Sequence, residues 1–177
     1  MVALGADVRH LLRRNMYEWG YGVYGRYIND LPSSDDGLPA EAGWSRLSYD
    51  ELDGLDGLFK PLLVRAAGEG RAEALIETGP RSRNSTGGLH GAFLSAMAEK
   101  TLFLPLFVHG RVGTGGVVAV DFSLQFLSGG DVTRPMLAEI ELLRETGRMA
   151  FVRGLLRQDG LALVGYSGTL RKLSPPR

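Results

Sequence analysis

The sequence predicts an α+β fold: a curved antiparallel β-sheet wrapped around one central apolar helix, with a helical extension at the N-terminus. Three observations carry this. The stretch from Gly91 to Leu104 is apolar nearly all round, and a helix of that kind belongs in a core. Val118, Val120, Phe122, Leu124 and Phe126 alternate with Ala119, Asp121, Ser123 and Gln125, the pattern of a strand with one core face and one polar face. Further alternating runs follow it, joined by short turns, which implies an antiparallel meander. Such a sheet has one apolar face to cover. The 90–104 helix is the one long apolar element available, so the simplest packing wraps the sheet around it.

Taken in order, residues 4–18 read as a helix, with Val8, Leu11, Leu12 and Met16 at helical spacing. An aromatic segment follows, with Tyr17, Trp19, Tyr21, Tyr24 and Tyr27; core packing is its plainest use. Leu31 to Pro39 is a turn-rich loop. Ser48-Tyr-Asp-Glu51 is a capping-box pattern that opens a second helix running toward residue 67. The texture changes near Gly70. This divides the chain into a helical and aromatic extension, 1–67, packed on a main domain, 68–177.

In the main domain, Ala72, Ala74 and Ile76 alternate with Glu73, Leu75 and Glu77, giving a first strand that Pro80 ends. The apolar helix stops before Pro105. After the 118–126 strand, residues 128–135 form a link. Ala138, Ile140 and Leu142 mark a third strand, Thr146-Gly147 turns it into a fourth at 148–157, and Asp159-Gly160 is a hairpin signal leading to a fifth at 161–171.

Composition excludes several functions. At 177 residues the chain fits a single folded unit with a sizeable core. Lys+Arg and Asp+Glu stand at 20 each, so no global field draws in nucleic acid or a membrane surface. With no cysteine there is no disulfide, thiolate metal site or Cys nucleophile, which fits a cytoplasmic setting. The longest wholly apolar run, Leu102 to Val108, contains Pro105 and is too short to span a membrane. The early charges at Asp7, Arg9, Arg13 and Arg14 do not fit a signal peptide.

The chemistry-bearing residues gather at the central helix. Glu99 is the sole acid in that apolar stretch, and burying an unpaired carboxylate costs roughly several kcal/mol. A polar loop, Asn84-Ser-Thr-Gly-Gly-Leu-His90, leads into the helix. The first turn of a helix presents unpaired N–H groups and the positive end of its dipole, which can polarise a carbonyl oxygen. Asn84 adds an amide beside that point, and His90 stands where it can cap the helix, donate, or fix the loop. Glu99 lies eight residues beyond Gly91, about 12 Å along the axis at ~1.5 Å per residue. One small reacting group cannot touch both on the same helix. A site that uses both therefore needs two chains, with antiparallel helices related by a two-fold axis.

These residues resemble the hotdog-fold acyl-CoA thioesterases, in particular the group like the phenylacetate-degradation thioesterase PaaI. That group shows an Asn, a His-Gly-Gly six residues on, and an Asp or Glu nine residues after the His. Asn84, His90-Gly91 and Glu99 stand at those spacings. The resemblance covers about residues 68–172, including the strand–helix–four-strand order and the Thr146-Gly-Arg148 turn. Ala92 replaces the family's second Gly, and Ala119 stands where some relatives carry a polar helper.

The resemblance implies hydrolysis of an acyl-CoA thioester without cofactor or metal. Gly91 N–H would polarise the carbonyl, Asn84 would help place the carbonyl or the water, and His90 would belong to the same site. Glu99 of the partner chain would be general base or nucleophile. The assembly would be a homodimer or a dimer of dimers. A non-catalytic acyl-CoA binding module on the same fold is the alternative.

Other motifs do not compete. Gly165-Tyr-Ser-Gly-Thr169 lacks the last Gly of a nucleophile elbow and falls in a strand, which leaves Ser167 structural. Gly113-Thr-Gly-Gly116 precedes a strand, not a helix, and reads as a loop. His10, His90 and His109 are too scattered for a metal site. Arg81, Arg83, Arg148, Arg171 and Lys172 are candidates for the phosphates of coenzyme A, each with an ordinary surface role as the alternative.

Overall fold

The computed structural model describes residues 43–47, 55, 59, 62–112 and 116–173, and the backbone of 28–29. The expected 4–18 helix, the 17–27 aromatic segment, the Leu31–Pro39 loop, the Ser48–Glu51 cap and His10 lie outside them.

Eight strands form one sheet: β1 (Ile28–Asn29), β2 (Ser45–Leu47), β3 (Leu62–Ala66), β4 (Arg71–Ile76), β5 (Val117–Phe126), β6 (Met136–Glu145), β7 (Met149–Gln158) and β8 (Leu161–Lys172). Helix α1 (Gly91–Leu102) and the short helix α2 (Leu104–Val108) lie between β4 and β5. The strand order is β1-β2-β3-β4-β6-β7-β8-β5, with every neighbouring pair antiparallel. The meander expectation holds for β6, β7 and β8. It fails for β5, which crosses to the far edge and pairs with β8, leaving β4 beside β6.

The helix expected to run toward residue 67 is instead β3 at its end. Leu62 and Val64 are buried, Leu63 and Arg65 point the other way, and all five residues pair with β4. Residues 62–66 follow a period of two; the capping box itself lies outside the described residues. The sheet therefore passes unbroken across residue 67.

The buried rows Ala150/Val152/Leu156 and Val164/Tyr166/Leu170 face α1, Met136/Ala138/Ile140 lies under both helices, and Ala72/Ala74/Ile76 faces the short helix α2. Asp159 and Gly160 both have positive φ, 47° and 82°, as the predicted β7–β8 hairpin turn requires. The 91–108 helical stretch is long and apolar enough to cross a membrane by composition, but more than half of it is buried inside this fold. The helix does not simply stop before Pro105: it breaks at Phe103, and Pro105 sits in the first turn of α2, where its missing N–H costs nothing.

The strictest alternation in the sequence is interrupted. A bulge between Ala119 and Asp121 shifts the register of β5 against β8. Val117, Phe122 and Leu124 pack against the core, whereas Val118 and Val120 are 40% and 52% exposed. The period-two count runs correctly over Phe122 and Leu124, is out of phase before the bulge, and fails at Phe126, which is 57% exposed.

Two glycines bring the helix close to the sheet. A Cβ on Gly154 would lie 2.3 Å from the Tyr166 ring, and one on Gly168 would lie 2.8 Å from Leu102. The Tyr166 hydroxyl sits 2.6 Å from Thr101 Oγ1, which itself donates to the carbonyls of Met97 and Ala98. With the threonine proton so used, Tyr166 is the donor. Burial pushes the Tyr166 hydroxyl far above its ordinary range, outweighing the Thr101 contact, so it keeps that proton.

Gly154→Ala is expected to destabilise by about 1–3 kcal/mol through overpacking, and Tyr166→Phe by about 1 kcal/mol, read by urea unfolding; wild-type midpoints for both would contradict this seating of the helix. At the far end, Glu145 accepts from Lys172 and Arg111. Burial pushes its carboxyl up, but the two cations together hold it below the usual range. This pairing therefore contributes stability above the ordinary carboxylate pKa and loses it as pH falls through the depressed one. The stability gap between wild type and Glu145→Gln should accordingly shrink on acidification; a gap that widens would contradict the assignment.

Candidate functional site

The loop before α1 is held from within. Asn84 Oδ1 accepts from the Thr86 N–H, the Thr86 hydroxyl and the Gly88 N–H, at 3.0, 2.9 and 3.0 Å. Asn84 Nδ2 donates to the Leu89 carbonyl at 3.2 Å. An amide nitrogen carries two hydrogens, so one remains for another acceptor. The Asn84 N–H donates to Gly88 O, and Gly87, at φ 97°, makes the tight return. The buried Leu89 donates its N–H to Gly130 O and packs so tightly that a Cβ on Gly130 would stand 2.6 Å from its side chain.

His90 is the N-cap of α1. Its Nδ1 accepts from the Ala92 N–H at 3.0 Å, and its own N–H is taken by Ser82 O at 2.7 Å. An Nδ1 that accepts carries no proton, which leaves Nε2 as the donor, on an exposed ring. Gly91 N–H, one position further, is a first-turn amide with no acceptor inside the helix. The three residues predicted to act together are thus brought together at one helix end. Asn84 shapes the loop, His90 caps the helix, and Gly91 presents an amide.

Glu99 stands apart from them, two turns along the same helix. It is half-buried rather than solvated. Its neighbour Lys100 is only 9% exposed, with Nζ 5.1 Å from the centroid of Phe59. At about 100° per residue, Ala92, Ser95, Ala96, Glu99 and Phe103 share one face of α1. None of the five is buried, whereas Leu94, Met97, Ala98, Thr101 and Leu102 on the other faces are. Only Ala92 on this face is exposed; Ser95 and Glu99 are half-buried, Ala96 and the C-cap Phe103 pack partly on the core, and three of the five are small.

Sequence reasoning missed Phe126. Its ring lies over the helix start, with Cζ 3.3 Å from where a Gly91 Cβ would be, yet it is 57% exposed. The alternation made it a core residue, and no signal in the sequence linked position 126 to position 91.

The remaining candidates lie elsewhere. Ser167 is exposed on the opposite face of the sheet, its hydroxyl 3.5 Å from that of Ser123. Ala119 and Asp121 are exposed on β5. Arg81, Arg83, Arg148 and Arg171 are exposed, and Lys172 is tied to Glu145. His109 Nε2 is 3.0 Å from Arg71 O. Of the Gly113–Gly116 motif only Gly116, at φ 85°, is described. No cluster of three metal-ligating side chains occurs among the described residues.

A helix seated across a curved antiparallel sheet in this order is the hotdog fold. Solved structures agree. Zebrafish thioesterase superfamily member 2 is 18% identical over 69% of this chain and 88% of its own, at a TM-score of 0.61. A mutant of the phenylacetic acid degradation protein PaaI from Thermus thermophilus is 21% identical over 63% of this chain and 93% of its own, at 0.55. A hypothetical thioesterase from Streptococcus pneumoniae, solved with coenzyme A, is 14% identical over 64% and 88%, at 0.56. At these identities the likeness establishes the fold. No family model matches the chain, and no curated protein sequence matches it.

Asn84→Ala should speed hydrogen exchange at the Thr86 and Gly88 amides by about tenfold, the worth of one net hydrogen bond, while Asn84→Asp keeps the acceptor and the protection. Unchanged exchange in the alanine variant would remove Asn84 as the loop's organiser.

Proposed function

We propose that the chain is an acyl-CoA thioesterase acting as a homo-oligomer, with each site shared by two protomers. The observation that carries this is the pairing, on one core helix, of a capped amide terminus at Gly91 with a half-buried carboxylate at Glu99 on the less buried face of that helix. Small side chains at Ala92, Ser95 and Ala96 let a second helix approach closely on that face. A two-fold axis there would set one protomer's Glu99 near its partner's Gly91.

In this reading the thioester carbonyl oxygen accepts from the Gly91 N–H, aided by the helix dipole. The partner's Glu99 takes a proton from water as the water oxygen bonds to the carbonyl carbon. The resulting oxyanion is held at the helix end, where one such donor is typically worth about 10²–10³ in rate. Collapse breaks the C–S bond. The thiolate leaves and takes up the proton, giving a carboxylic acid and free coenzyme A. Direct attack by Glu99, through an anhydride that water then opens, uses the same groups. Asn84 Nδ2, with one hydrogen not used on the Leu89 carbonyl, helps place the carbonyl or the water. His90 acts by fixing the helix start. The proposed substrate and the cysteine-free composition support a cytoplasmic location.

Thioester cleavage across an acyl-CoA panel tests the reading. Glu99→Gln should lower kcat by about 10²-fold or more at unchanged thermal stability. Equal rates in both proteins would remove Glu99 from the mechanism. Binding of acyl-CoA without cleavage by the wild type would make the chain a binding module.

A further inference from the structure

We infer that Phe126 is the residue that selects the acyl group, forming the apolar wall against which a bulky acyl chain lies. This rests on the reading of Gly91 as the carbonyl-binding amide.

Three ring atoms of Phe126 fall within 3.3–3.9 Å of the point a Gly91 Cβ would occupy. The missing side chain of Gly91 and the ring of Phe126 are complementary: the ring takes space that a Cβ would contest. A carbonyl oxygen accepting from an amide sits about 2.9 Å from the nitrogen, so any group bonded to that carbonyl is within reach of the ring. Phe126 is nevertheless 57% exposed. A large aromatic ring, seated beside a polar helix terminus and left open, offers a flat apolar surface at the place where an acyl chain begins. It stands at the end of β5, on the helix side of the sheet, with Leu124 and Phe122 before it packed on the core. The end of the strand thus places the ring while its outer part stays open. Acetyl-sized groups reach the edge of this surface but cover little of it. Longer or branched apolar groups bury part of it, at about 0.8 kcal/mol per buried methylene.

The experiment uses S-alkyl thioethers of coenzyme A, which cannot be hydrolysed. Binding of S-hexyl-CoA, S-ethyl-CoA and coenzyme A is measured by calorimetry to wild type, Phe126→Ala and Phe126→Leu, with melting temperatures alongside. The wild type should prefer S-hexyl-CoA to S-ethyl-CoA. Phe126→Ala should weaken S-hexyl-CoA by about tenfold and leave S-ethyl-CoA and coenzyme A nearly unchanged, with Phe126→Leu between. A uniform loss for all three ligands would place the ring on the coenzyme limb and overturn the assignment. So would equal affinity of wild type and both variants for S-hexyl-CoA, or no thioether binding at all. Because nothing is hydrolysed, the outcome separates this inference from the thioesterase reading. A chain that discriminates S-hexyl from S-ethyl through Phe126 but cleaves no thioester keeps the first and loses the second.

Discussion

The contact on which the rest depends is the seating of α1 on the sheet. Gly154 makes room for the Tyr166 ring, Gly168 makes room for Leu102, and the Tyr166 hydroxyl donates to Thr101. Together these fix how far the helix stands from the strands and how it is rotated about its axis. Rotation is the quantity that matters. It decides that Ala98, Thr101 and Leu102 are buried and that Ala92, Ser95, Ala96 and Glu99 are not. A helix turned by one residue would press the carboxylate against the apolar rows of the strands, where its desolvation is costly.

The same seating fixes the helix start. Leu89 is buried against Gly130 and Ser82 accepts from His90, so the chain enters α1 at a set place and direction. Most of the polar capacity of the Asn84 loop is used to keep that shape. What remains at the surface is small: a first-turn amide, one amide hydrogen and an exposed imidazole. A site of this economy depends on placement more than on the number of its polar groups.

Much of this is legible in the sequence. The period of two in residues 72–77 and the Asp159-Gly160 turn are local signals, and the structure bears both out. The same holds for the apolar helix, whose hydrophobicity all round has few other uses. The misreadings have particular causes. Leu62 to Ala66 is too short a run to outweigh a capping box upstream, and its identity as a strand comes from pairing with β4. The bulge at Val120 is set by the register against β8, which no residue of β5 encodes alone. The crossing of β5 to the far edge is likewise a property of the whole sheet. Asn84, His90 and Gly91 can be found together because they are close in sequence as well as in space. Phe126 escapes notice because only the fold brings it to Gly91.

The central claim is that one protomer's helix start and the other's carboxylate make a single site. Subunit mixing tests it most directly. Gly91→Pro removes the amide hydrogen at a first-turn position whose backbone suits proline, with the exposed Phe126 ring giving way by a few tenths of an ångström to its Cβ, and Glu99→Gln removes the acid. Each variant alone should be nearly inactive. Co-refolded in equal amounts, they should regain about a quarter of wild-type activity, since half the dimers are mixed and each mixed dimer holds one intact site of two. No recovery above the separate variants, in a sample shown to contain mixed dimers, would contradict the account.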